Sequence, residues 1–85
     1  MSKTHAVAIE NMAFNPASVD VALGDTVEWT NKMGLPHTVT PDNGEFPGSG
    51  PLSQGGTFSH VFDEAGTVSY HCEIHNSMKG AVVVT

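Results

Sequence analysis

Cys72, His75 and Met78 offer a thiol, an imidazole and a thioether at three-residue intervals within Tyr70-His71-Cys72-Glu73-Ile74-His75-Asn76-Ser77-Met78-Lys79-Gly80. A second imidazole, His37, lies far upstream, just after Gly34-Leu35-Pro36. Two imidazoles and a thiolate, capped by a weak thioether, are the donor set of a trigonal copper site. Cu(II) prefers tetragonal geometry and Cu(I) accepts soft, low-coordinate ligation, so a rigid site between the two rearranges little on one-electron change. The chemistry that fits is fast electron transfer. The plainer reading makes Cys72 a small buried hydrophobe, Met78 core filler and the histidines surface residues. Zinc fits less well, since a thioether is not among its usual ligands.

The remaining candidates weigh less. Strand alternation turns His71, next to Cys72, toward the opposite face, as a polar surface or second-layer residue. His60, between Phe58 and Phe62, is expected to be partly buried and hydrogen-bonded. His5 is expected to be solvated, Met12 and Met33 to be packing residues, and Trp29 to be a core aromatic.

Converging these side chains requires a stiff frame, and the sequence describes one. Apolar residues alternate with polar or small ones in Thr4–Glu10, Ser18–Leu23, the Val27/Trp29 segment, Thr57–Phe62 and Thr67–Cys72. His37–Thr40 reads as a short β-branched piece and Ala81–Thr85 as a closing strand. Gly24-Asp25 and Asp63-Glu64-Ala65-Gly66 are turn signals. The stretch 41–56, with Pro41, Pro47, Pro51 and five of the nine glycines, reads as a surface loop. The expected class is all-β: a Greek-key sandwich or barrel of about eight short strands. Its Cys72 and His37 segments would lie side by side, so that the ligands meet at one end.

Composition narrows the partners. The 85 residues are expected to form one domain over 1–85, and a chain this short gains from a staple. The single cysteine excludes an intrachain disulfide, which leaves a metal. Three basic against nine acidic residues give a formal charge of −6. That argues against nucleic acid and against an anionic membrane surface. No apolar run approaches the roughly 18–20 residues of a membrane span. No apolar leader is apparent in Met1-Ser2-Lys3-Thr4. The acids Asp20, Asp25, Glu28, Asp63 and Glu64 are expected to form solvated faces.

Over nearly its whole length the chain resembles the cupredoxins, the blue-copper proteins, and most of all their amicyanin branch, then plastocyanins and pseudoazurins. The resemblance rests on Asn11-Met12-Ala13-Phe14-Asn15-Pro16, Gly24-Asp25-Thr26-Val27-Glu28-Trp29 and Leu35-Pro36-His37-Thr38-Val39. It continues through Phe62-Asp63-Glu64-Ala65-Gly66-Thr67, Tyr70-His71-Cys72 and Met78-Lys79-Gly80-Ala81-Val82-Val83-Val84, with the short Cys-x-x-His-x-x-Met loop. It implies an eight-stranded Greek-key sandwich and one copper per chain held by His37, Cys72, His75 and Met78. Four positions depart from the pattern: Thr38 stands where cupredoxins often have Asn, and Glu73 where a small polar residue is usual. Ile74 and Asn76 stand where amicyanins carry prolines. Such neighbours tune a metal site.

The expected function is one-electron shuttling between redox proteins that dock transiently near His75, Leu35 and Pro36. Pro47, Pro51 and Leu52 are candidates for the same apolar rim. The chain is expected to be a monomer and no enzyme. The resemblance implies an extracytoplasmic setting, periplasmic or extracellular, for a mature form without signal peptide. The rivals are a copper storage or delivery protein, which would favour Met-rich or Cys-x-x-Cys ligands, and a domain of a larger copper oxidoreductase, which would need a second copper centre.

Overall fold

The alternation in the sequence comes out as alternating burial. The structure, a computed structural model, describes residues 2–75 and 77–85. It contains β1 (Thr4–Glu10), β2 (Ala13–Asn15), β3 (Ser18–Val21), β4 (Thr26–Asn31), β5 (Thr40–Pro41), β6 (Thr57–Val61), β7 (Gly66–His71) and β8 (Lys79–Val84), with no helix among the described residues. One sheet runs β2-β1-β4-β6 and the other β3-β8-β7-β5. The chain changes sheet at five of its seven connections. The β1–β4 and β3–β8 pairs are consequently parallel, and the hairpin-linked pairs are antiparallel.

Inward residues from both sheets fill the space between them. Val7, Ile9, Val27, Trp29, Tyr70, Val82 and Val84 are buried. Trp29 lies at the centre, edge-on to Tyr70 at 5.4 Å and beside Phe58 at 5.7 Å and Phe46 at 6.0 Å. Such aromatic pairs add to the hydrophobic term and restrict how the sheets can shift. Burial pushes the Tyr70 hydroxyl up to about 12. Opposite Tyr70 stands Gly80. A Cβ there would fall 2.5 Å from the Tyr70 hydroxyl oxygen, so only glycine lets the ring lie across β8.

Three local departures from the sequence pattern have physical causes. The β1–β2 hairpin turns on Asn11 and Met12, both at positive φ (54° and 56°). Two such residues suit a two-residue hairpin turn, but the usual signal is Asn-Gly, and Met12 conceals it. Met12 is 41% exposed rather than packed inside, and its N–H donates to Met33 Sδ at 3.3 Å. The His37–Thr40 piece is strand only from Thr40. Upstream of it, the Thr38 N–H goes to Cys72 Sγ and the Val39 N–H to Ser49 Oγ, so these donors are withdrawn from any ladder.

Asp25 and His5 are corrected together. Asp25 is buried, not solvated, and accepts from the Lys3 and Ala22 N–H groups at 3.0 and 3.1 Å. His5 Nε2 lies 2.9 Å from Asp25 Oδ2, the oxygen that also accepts the Ala22 N–H, and the ring is half-buried instead of free in solvent. The His5 ring, then the two backbone donors, hold the Asp25 carboxyl down at about 2. A carboxylate at the turn thereby fastens the start of β1.

Two tests follow from this packing. Gly80→Ala is expected to destabilise the fold by about 1–3 kcal/mol through overpacking against Tyr70, read as a lower urea midpoint. Asp25 binds its proton more weakly folded than unfolded, so its contribution is complete above pH 3.8 and drains away as pH falls toward about 2. Thermal melts across that window should fall less steeply for Asp25→Asn than for the parent. Identical slopes would mean the turn carboxylate does not couple to folding.

Candidate metal centre

His37 and Cys72 are 35 residues apart in sequence, yet His37 Nδ1 lies 3.7 Å from Cys72 Sγ. Cys72 directly follows β7, whose ladder with β8 runs to His71↔Lys79. The loop closes at once: the Cys72 N–H donates to the Met78 carbonyl at 3.1 Å, and the Met78 N–H to the His75 carbonyl at 3.0 Å. These two bonds draw Cys72, His75 and Met78 close together. Cys72 (0% exposed) and Met78 (2%) are enclosed, and His75 is left half-buried.

His37 enters from the other side, on a segment that belongs to no strand. It exchanges backbone hydrogen bonds with Leu52, at 2.7 and 3.2 Å. Asn31 ties the two segments together, one at Leu35 and the other at Leu52. Its buried side-chain Nδ2 donates to the Leu35 and Leu52 carbonyls, each at 2.8 Å, and its Oδ1 accepts the Met33 N–H at 2.9 Å. Asn31 was not among the candidates read from the sequence. Its signal was there: a polar residue continuing the inward alternation of Val27 and Trp29.

The donor atoms of His37, Cys72 and His75 all lie within 4.8 Å of one another, the one grouping of this kind among the described residues. The two rings sit 4.8 Å apart at 43°. His75 Nδ1 is buried without a hydrogen-bond partner, as is His37 Nε2. Buried polar atoms are normally paired, so an orphaned imidazole nitrogen beside a thiol fits a metal ion. Burial, and then the neighbouring His75, hold the His37 imidazole below its usual value and favour the neutral, ligating form. Cys72 Sγ accepts the Thr38 N–H at 3.4 Å. Thiolate, imidazole and thioether together suit copper, and the residues present fit it.

The other histidines do other work. His71 faces away from the site, half-buried, and its Nδ1 bonds the Asp42 carboxylate. His60 is half-buried as expected but held by aromatic contact, 5.0 Å from Phe46 and 4.9 Å from Phe62. Around the ligands, Leu35 (50%) and Ile74 (45%) are exposed, as are Pro36, Pro47 and Pro51, while Leu52 is half-buried. Asn76, one of the departures within the loop, lies outside the described residues.

Comparison with known proteins agrees with this geometry. Residues 2–85 match the model of the copper-binding proteins, plastocyanin/azurin family. A plastocyanin of Scenedesmus fuscus is 37% identical over 86% of this chain and 87% of its own length. An amicyanin of Paracoccus denitrificans is 39% identical over 92% of this chain, which spans 63% of that protein. The Cu(I) form of an amicyanin variant superposes with a TM-score of 0.91 at 34% identity, covering 96% of this chain and 82% of the other. With fold, donor set and sequence in agreement, the chain belongs to the copper-binding plastocyanin/azurin family, the cupredoxins.

Proposed function

We propose that His37, Cys72, His75 and Met78 ligate one copper ion and that the chain carries single electrons between redox proteins. The observation that carries this reading is the cluster of His37, Cys72 and His75 donor atoms within 4.8 Å, with His75 Nδ1 buried and otherwise unpartnered. Bound there, copper supplies a one-electron couple between Cu(II) and Cu(I). The protein's share is enclosure and orientation. Cys72 and His37, both 0% exposed, keep water from the thiolate. The Thr38 N–H steadies the charge on sulfur. Met78 would offer a soft, weak thioether donor.

His75, half-buried, is the edge through which an electron reaches the surface. Leu35 and Pro36 beside His37, with Ile74 beside His75, give that edge an apolar border. Redox partners dock there briefly, because a small patch releases its partner quickly. On this reading residues 1–85 act as a single, monomeric domain and as a carrier, not an enzyme. The family resemblance supports a protein working outside the cytoplasm.

Two measurements examine this reading. One equivalent of Cu(II) should produce an intense thiolate-to-copper absorption band toward the red, bleached by reductant and missing in Cys72→Ala. A pale spectrum with weak ligand-field bands would remove Cys72 from the ligand set. For docking, electron self-exchange between Cu(I) and Cu(II) copies can be followed by NMR line broadening. Leu35→Asp is expected to slow it about 10-fold by setting like charges against each other at the contact. Leu23→Asp, an equally exposed leucine (53%) in the β3–β4 turn at the far end, should change it less than about twofold. Equal effects at both positions would rule out a docking face around Leu35.

A further inference from the structure

The departures at Thr38 and Glu73, unrelated in the sequence, are joined in the structure. The Glu73 N–H donates to Thr38 Oγ1 at 2.8 Å, and Thr38 Oγ1 lies 3.0 Å from Thr40 Oγ1. Thr40 Oγ1 in turn donates to Glu73 Oε1 at 3.1 Å. Each hydroxyl has one proton, which settles the direction. Thr40 spends its proton on the carboxylate, so the Thr38 hydroxyl must donate to Thr40. The chain of donors leaves the Glu73 backbone, passes through two hydroxyls and returns to the Glu73 side chain. It ends on a side-chain oxygen that accepts, and bonds arranged head to tail reinforce one another.

This ring adjoins the thiolate. Thr38, its middle member, gives its own N–H to Cys72 Sγ at 3.4 Å, and Glu73 follows Cys72 in the chain. We propose that the Glu73 carboxylate and the Thr40 hydroxyl are positioning residues for the copper centre. Through Thr38 they hold the His37 segment to the Cys72 loop and keep the Thr38 N–H aimed at the sulfur. The inference rests on the assignment of Cys72 as a ligand. It gives Glu73 a role through its acceptor oxygen, not through its charge, and Thr40 a role although it does not reach the site itself.

Three variants separate these possibilities. Thr40→Val removes the hydroxyl at constant shape and leaves the carboxylate. Glu73→Gln keeps an acceptor oxygen and removes the charge, and Glu73→Ala removes both. The first readout uses metal-free protein: hydrogen exchange of the Glu73 and Thr38 amides should quicken about 5- to 10-fold in Thr40→Val and Glu73→Ala. Glu73→Gln should stay near the parent. The second uses the Cu(II)-loaded protein. The same two variants should shift the thiolate-to-copper band and lose copper to a chelator about 10-fold faster, again with Glu73→Gln close to the parent. Because the groups form one ring, the Thr40→Val/Glu73→Ala double variant should be no worse than either single.

Thr40→Val matching the parent in both readouts would overturn the proposal. So would Glu73→Gln behaving like Glu73→Ala, since the effect would then be one of charge. A parent protein with no charge-transfer band would instead sink the ligand assignment, and the metal-free amide exchange would still decide whether the ring holds the two segments together.

Discussion

The carboxamide of Asn31 bears the half of the site that no strand supports. Its two N–H bonds to the Leu35 and Leu52 carbonyls fix both segments whose backbones meet at His37. Without it, the Leu35 carbonyl would lose this partner, the Leu52 carbonyl would keep only the His37 N–H, and the Asn31 link between the two segments would be gone. The Asn31 side chain itself is fully buried, and in a low-dielectric setting each of its bonds is stronger than it would be in water. A polar residue at an inward strand position is thus the means by which an irregular segment acquires the stiffness of a sheet.

The other half of the site obtains its stiffness from the sheet itself. Cys72 follows the β7 ladder directly, and the Cys72–Met78 and Met78–His75 backbone bonds return the chain to β8 within a few residues. Behind them Trp29, Tyr70 and Phe14 interlock, and Gly80 gives Tyr70 its room. Two stiff bodies, one built on Asn31 and one on β7–β8, therefore face each other. The Thr38 N–H to sulfur and the Glu73 N–H to Thr38 span the join. An electron carrier needs this kind of frame, since little movement on changing charge means a small barrier to transfer. Exposure is confined to the rim, where Leu35 and Ile74 stand beside otherwise enclosed donors.

Much of this was legible in the chain. Period-2 alternation marked β1 over the residues the structure gives it, and identified Trp29 as central. The spacing of Cys72, His75 and Met78 marked the loop. What escaped had specific causes. The β1–β2 hairpin was hidden because Met12 occupies a positive-φ position where glycine is the usual cue. Asp25 and His5 looked like solvated surface groups because their pairing joins residues 20 apart. His60 suggested a hydrogen bond, but aromatic neighbours reach it first, among them Phe46 from a stretch that reads as loop.

The sequence by itself determined the donor types, the strand period and the shortness of the ligand loop, because each is a local property of side-chain chemistry and spacing. Which groups lie within bonding reach of those donors was decided by the tertiary structure alone. The approach of His37 to Cys72, the reach of Asn31 across two segments and the closing of Glu73 on itself through Thr38 and Thr40 all depend on how two sheets pack. Hydrogen bonds act over about 3 Å, and no pattern along one chain records which distant residues packing will bring within that distance.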